Sequence, residues 1–493
     1  MSSPPRLAAA PPAPSPPPPL ADFGDWLSPM IVKELRQGLR TWVFVGAFIV
    51  LQAILTMTLL ISSTSGNEEA STYLFWMLVA TIVVGIVPLR GFNALAGEMK
   101  AETLDLLMLT RLGAFRIAAG KWIALVAQGG LIAISVLPYV VLRYFGGGID
   151  LVGELLALLL LWMLSAAVTA VAVAFSSLPS VVLRGFILLG TYIMAIMAVN
   201  AIILLATMRL TSSGAFFFGT SSTPDLWVAL AVITPLWAYG CYFLLDVGAT
   251  AVSPLAANHA TRKRLISLVL IVASLGIAWY LPASADGREI AVTCVCALSA
   301  LAALDCLTEP PATSPSVFKP FVRRGHLGRL AAAFLAPGWA TGLCFYALLC
   351  VLVLAALRLV DALDTRQESL VLANVLLAPL VPLALGLIFF RNHPRPLGPY
   401  IVCTLILGIY SLLLFFMAEI GREDSVGYLA MITPPSALVL HDGMDGMYEE
   451  SIVLTGGVAT GIGYLLFLLW RVIPVSKAMQ QAVVAAKAQS DSP

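Results

Sequence analysis

The sequence predicts an all-α polytopic membrane protein of about twelve transmembrane helices. Composition is the first reason. Of 493 residues, 60% are hydrophobic and only 11% are charged, with a mean hydropathy of +0.94, whereas a soluble domain carries roughly 25% charged residues. Segment length is the second. Apolar runs of about 20 residues recur, long enough to cross a hydrocarbon core roughly 30 Å thick. Charge placement is the third, because Lys and Arg gather in alternate intervals between the runs. The alternating segments of about 10 residues that build a membrane β-barrel are not found in the sequence.

In chain order, residues 1–21 come first, with nine prolines among the first twenty residues. Such a stretch buries no core and reads as a disordered, partly polyproline-II cytoplasmic tail. It lacks the apolar h-region of a signal peptide. It is a passive tail or, alternatively, a ligand for a proline-recognising domain. Residues 22–250 hold six expected spans, at 41–62, 72–90, 122–142, 151–174, 185–208 and 226–248. Residues 251–493 hold six more, at 265–283, 289–306, 338–359, 369–390, 398–418 and 452–473. Pro138, Pro235, Pro379 and Pro382 fall inside spans as kink positions. The tripeptide Ile-Thr-Pro occurs at 233–235 and again at 432–434, a faint hint of duplication.

With the N-terminus inside and the spans alternating, 22 of the 28 Lys and Arg residues lie on the inner side, and 17 of the 27 acidic residues lie on the outer side. Both termini are therefore expected in the cytoplasm. The longest outer loop, 419–451, is acidic, and its spacing of carboxylates and one histidine matches no EF-hand. The seven cysteines sit in or beside spans, Cys294-x-Cys296 included, and read as small apolar residues rather than a disulfide framework or zinc site. No basic stripe with interleaved aromatics points to nucleic acid. Gln128, Asn200 and Asn374 are the polar residues nearest span centres. No Asp, Glu, Lys or Arg sits at a centre, which disfavours a proton- or sodium-coupled carrier.

Two polar, helix-prone segments interrupt this pattern. In the first, Ser28-to-Arg40 (SPMIVKELRQGLR), a Ser-Pro start caps a helix. Ile31, Val32, Leu35, Leu39 and Trp42 share one face; Lys33, Arg36, Gln37 and Arg40 share the other, with Glu34 at its edge. A short basic amphipathic helix of this kind lies in the membrane interface and serves as a topology anchor or as a lever beneath the membrane. In the second, Gly97-to-Lys121 (GEMKAETLDLLMLTRLGAFRIAAGK), Glu98, Glu102 and Asp105 recur at helical spacing and share one face. The segment reads as a cytoplasmic hairpin, a first helix ending near Thr110 to Gly113 and a second short one leading to Lys121. Its acidic face is either merely solvated or a docking surface for a soluble protein.

Together these segments resemble permease subunits of ABC-2 type transporters. The Ser-Pro…Lys-Glu-Leu-Arg run entering span one is similar to the family's interface helix. The Gly-Glu…Glu-Thr-Leu-Asp-Leu-Leu run, closed by Ile117…Gly120-Lys121, is similar to its coupling segment. Glu102 stands where the family usually has glycine, and Arg111 with Gly113-Ala114 replaces a Pro-Leu-Ser-like turn. The resemblance covers mainly residues 28–250. It implies a six-helix permease core, an exporter in a bacterial cytoplasmic membrane, and a separate ABC ATPase subunit that carries ATP and Mg. It leaves room for a second copy of the chain to complete the pathway. By matching position it implies ATPase docking at Glu98, Glu102, Thr103 and Asp105, and an interface helix carrying Lys33, Glu34, Arg36 and Arg40.

This chain contains no G-x-x-x-x-G-K-[ST] motif. Gly120-Lys121 is followed by Trp122, and Phe115 stands where the first glycine belongs. No enzymatic activity, cofactor or metal site is expected of the chain itself. Two other readings remain open, a membrane enzyme or carrier for lipid-linked substrates and a membrane scaffold. In the second half, Asn258, His259, Arg262, Lys263 and Arg264 read as a basic inner-surface cluster. Residues 307–337, with Lys319, Arg323, Arg324, His326 and Arg329, read as a linker between the halves.

Overall fold

The structure is a computed structural model. It describes residues 29–65, 68–100, 113–146, 151–207, 223–253, 258–281, 286–312, 314–361, 365–390, 395–421, 428–443 and 450–491. Regular structure there is helical. The first bundle runs α1 (Pro29–Leu39), α2 (Trp42–Ser65), α3 (Glu68–Ala80), a short α4 (Ala96–Lys100), α5 (Ala114–Gly146), α6 (Leu151–Phe175), α7 (Val181–Thr207) and α8 (Thr223–Val252). The second runs α9 (Ala260–Tyr280), α10 (Asp286–Thr308), α11 (Pro315–Val322), α12 (Gly325–Leu335), α13 (Trp339–Arg358), α14 (Arg366–Leu377), α15 (Leu380–Phe389), α16 (Leu397–Gly421), α17 (Pro434–Gly443) and α18 (Glu450–Asp491).

Among the described residues, eleven helical runs are long and apolar enough to cross a membrane. The chain is thus a multi-pass, all-α membrane protein. Each run overlays one of the expected spans, and the remaining expectation, 226–248, falls within α8. Large apolar side chains point outward along these helices, among them Ile49, Met57, Met194, Met197, Leu413 and Phe416. Outward-facing side chains of this kind suit a hydrocarbon solvent.

Several local features depart from the sequence reading. Residues 114–121 form no separate short helix. They are the first two turns of α5, which runs unbroken for 33 residues. The interval holds one potential breaker, Gly120, and a single helical glycine costs only about 1 kcal/mol. There it lets α1 lie close, with Met30 and Ile31 within van der Waals reach of where a Cβ would stand. Span two is irregular as well. After α3 the backbone makes a π-helical turn, Thr81–Ile86, and then a 3₁₀ turn, Arg90–Asn93. Two side chains use the carbonyls of this distorted stretch, Ser165 donating to Val83 and Tyr192 to Gly85. The expected span 369–390 is interrupted at Ala378 and Pro379, between α14 and α15, where the proline supplies no amide to the helical ladder. The segment 419–451, expected from the sequence to lie outside, contains a helix, α17, packed on α16 and α18; its residues 422–427 and 444–449 lie outside the described residues. The two Ile-Thr-Pro prolines occupy unlike places, Pro235 inside a helix and Pro434 opening one.

One apolar core lies in the first bundle, around Leu51, Trp76, Ile132 and Leu161. Another lies in the second, around Ile271, Val295, Phe345 and Leu383. Helix α8 serves both. Cys241 and Leu245 pack toward the first bundle, and Tyr239, Phe243 and Val247 toward the second. A Cβ at Gly248 would lie 2.7 Å from the Ala174 backbone, so α6 and α8 meet backbone to backbone.

Ion pairs at the helix ends agree with an alternating threading. On the face opposite α1, Arg143 contacts Glu154 at 3.1 Å and donates to Thr72 at 2.6 Å, which ties together the far ends of α5, α6 and α3. On the face bearing α1, the ends of α8, α9 and α10 meet.

Candidate functional site

Helix α1 docks across the start of α5 on the outer margin of the bundle. Its charged residues divide as the helical period dictates. Lys33, Arg36, Gln37 and Arg40 are exposed, and Glu34 turns inward at the edge. Trp42, the first residue of α2, is 86% exposed, as suits an aromatic side chain at a membrane interface.

Glu34 meets the second polar segment through Lys121. The ammonium of Lys121 lies 3.2 Å from Glu34 Oε1 and 2.7 Å from Glu98 Oε1. One largely buried cation therefore bridges α1, the segment after span two, and the head of α5. Beside it, Arg90 donates to the Gly38 carbonyl at 3.0 Å and to the side-chain oxygen of Gln128. Thr41 donates to the same carbonyl at 2.7 Å. A cavity of about 490 Å³ opens here, between Lys33, Glu34 and Gln37 on one side and Arg90, Glu98 and Gln128 on the other.

The segment after span two is anchored at further points. Asn93 accepts from Arg184 of α7 at 2.8 Å, and the Leu95 amide donates to Ser176 at 3.0 Å. The segment that ends in Glu98 is thus tied to α5 and, through Lys121, to α1, and by Asn93 and Leu95 to α7 and the residue following α6. Charge-assisted bonds of this kind are stronger than neutral ones, and here they join elements far apart in sequence.

Of the docking residues expected from the sequence, the structure places Glu98 in this junction. Glu102, Thr103 and Asp105 lie outside the described residues. Of the interface-helix residues, Glu34 lies in the junction, while Lys33, Arg36 and Arg40 form the exposed face beside it. The sequence reading set Lys121 at the end of the coupling segment and Arg90 at the inner surface, and gave neither a pairing partner. A lysine and an arginine at the predicted inner ends of two spans were the available signal. Gly38 is also more constrained than its letter suggests, since a Cβ there would collide with the Gln128 side chain. Gln128 is buried and can yield only by releasing Arg90. Gly38→Val is expected to cost about 1–3 kcal/mol, read as a lower thermal unfolding temperature in detergent.

A second polar cluster occupies the same face of the other bundle. Lys263 and Arg264, each 1% exposed, turn into the bundle rather than out to the surface. For these two residues this corrects the reading of an inner-surface basic cluster, while Asn258 and Arg262 of the same run are exposed. The helix begins at Ala260, earlier than the expected 265, so both residues sit inside its first turns. Lys263 Nζ lies 2.6 Å from Asp305, 3.6 Å from Asp246 and 3.8 Å from Glu309. Arg264 pairs with Glu309 at 2.6 Å and donates to the carbonyls of Phe334, Ala336 and Gly338. Gly338 has φ 128°, a conformation suited to glycine. His259 Nδ1 stands 3.3 Å from Asp246.

Burial pushes the Glu309 carboxyl up to about 7, against the pull of Arg264 and with Asp305 adding to the rise. The folded chain then binds a proton there that the unfolded chain, at an ordinary value of 4.5, has released. Unfolding free energy from this group falls as pH rises from about 4.5 to about 7 and is level outside that window. Glu309→Gln is expected to flatten this part of the profile relative to wild type in thermal unfolding scans across those pH values.

Comparison of the chain with family models, curated proteins and solved structures gives no match. The two clusters therefore have to be read from their own chemistry.

Proposed function

We propose that the chain is the membrane-spanning permease subunit of an ATP-driven exporter of ABC-2 type, worked by a separate ATPase subunit. The observation that carries this reading is the Glu34–Lys121–Glu98 bridge. It links an amphipathic helix lying outside the bundle to a polar segment between two spans and to the head of a third. A soluble motor that moved either segment would move several spans at once. A simple topology anchor has no use for a buried cation shared by three elements. With the basic-rich face inside, this junction faces the cytoplasm, where ATP is available.

The exposed basic face of α1 and the acidic residues Glu102 and Asp105 supply complementary docking charges. The Mg-ATP chemistry belongs to the partner; this chain positions and transmits. The chain purified in a mild detergent from its native membrane is expected to carry a polypeptide that hydrolyses Mg-ATP with vanadate sensitivity. Glu102→Lys combined with Asp105→Lys is expected to lose that polypeptide while the chain stays folded. A chain that moves substrate with no ATPase attached would exclude the reading.

A further inference from the structure

The stretch between α10 and α13, read from sequence as a linker, is a structured hairpin. Helix α11 packs against the C-terminal part of α18, and α12 against α11 and the start of α13, burying Val317, Phe318, Phe321, Ala336, Ala482 and Ala486. Between them and the start of α13 lies a groove of about 570 Å³, within the size range of small-molecule sites. Its walls are apolar, with Phe318, Phe321, Val322, Ala332 and Met479 prominent. Two of its three polar side chains are already committed to local backbone: Thr341 donates to the carbonyls of Ala336 and Gly338, and Ser476 to that of Ile473. The interior thus offers an occupant little but hydrocarbon.

The exposed side of the same hairpin has the opposite character. Lys319 lies on α11 beside the groove-lining Phe318, and Arg323, Arg324 and His326 follow, all three exposed. The sequence holds no Asp or Glu between Glu309 and Asp361, and Glu309 is engaged by Arg264. Helix α12 also exposes Leu327, at 78%, with Leu330 and Phe334. An apolar slot in a hairpin whose outer side is cationic, beside a helix that presents leucines outward, matches a molecule with an anionic head and a hydrocarbon tail. An acidic peptide matches less well, because the groove has few free polar atoms to pair with its backbone.

We propose that the α11–α12 hairpin and α18 form a binding site for an anionic phospholipid. One acyl chain fills the groove, and the phosphate is held by Lys319, Arg323 and Arg324. This site lies in the second bundle and does not depend on the exporter reading.

The test uses the full chain in detergent micelles, titrated with dioleoyl phosphatidylglycerol or dioleoyl phosphatidylcholine and read by native mass spectrometry. Phosphatidylglycerol is expected to bind about a hundredfold more tightly. The triple change Lys319→Gln, Arg323→Gln, Arg324→Gln removes one half-buried and two exposed charges. It is expected to weaken phosphatidylglycerol about a hundredfold, at roughly fivefold per charge, and to leave phosphatidylcholine unchanged. Ala332→Phe, which fills the groove, is expected to weaken both lipids. Equal binding of the two lipids, or an unchanged preference in the triple variant, would overturn the headgroup assignment. Displacement by inorganic phosphate alone would overturn the acyl-chain assignment. Displacement by a polyglutamate peptide would assign the surface to a protein partner instead.

Discussion

Lys263→Ala is expected to lower the stability of the folded chain by about 3–5 kcal/mol, the range found when one partner of a buried ion pair is removed. The reason is charge balance at a site closed to water. Two cations, Lys263 and Arg264, face three carboxylates, Asp246, Asp305 and Glu309. The cluster carries 2 − 3 = −1 with His259 neutral, and loss of Lys263 takes it to about −2, with Asp305 deprived of a bond of 2.6 Å. Removing both partners restores the original balance. Lys263→Met with Asp305→Leu is therefore expected to cost far less than the single change, within about 1 kcal/mol of wild type. Thermal unfolding in detergent at pH 8 reads both. A double variant as unstable as the single would show that the lysine acts through packing rather than charge.

The second large effect is expected at Lys121. Its two carboxylate partners are partly exposed, so the loss falls between the values for surface and buried pairs. Lys121→Met is expected to cost about 2–3 kcal/mol. Lys121→Glu sets three carboxylates together and is expected to free α1 from α5. The functional consequence should exceed the structural one, because the bridge joins the elements through which a motor would act. Adding Glu98→Lys to Lys121→Glu restores an opposite-charge contact between the same two positions and should recover much of the stability. In a double-mutant cycle the coupling between positions 98 and 121 is expected at about 1–3 kcal/mol. Additive effects would mean that the two groups do not interact directly.

The spans were legible because membrane crossing is a length-and-hydropathy property, local to each run. Even α9 and α10, joined by a very short connection, stand where the apolar runs place them. The amphipathic division of α1 was legible for the same reason, since a 3.6-residue period needs no tertiary partner. What the sequence did not disclose depends on elements distant along the chain. Lys263 and Arg264 look like a membrane-surface basic cluster until Asp246, Asp305 and Glu309 are brought beside them. The signal was present, as acidic and basic residues at the same predicted depth of neighbouring spans, but pairing them requires the packing of α8, α9 and α10. The π-helical turn at Thr81–Ile86 leaves no composition mark, because its carbonyls are used by Ser165 and Tyr192 from other helices. Gly120 serves as a contact point for α1, which depends on a helix distant along the chain.

Placing a photo-activatable cross-linking residue at the exposed Arg36 position, in the full chain within its native membrane, tests the motor-driven permease most directly. A permease worked from below gives a cross-linked adduct with a nucleotide-binding polypeptide, and the yield shifts when vanadate traps the ATPase. An adduct yield indifferent to vanadate, or reaction of position 36 with reagents confined to the cell exterior, would contradict it.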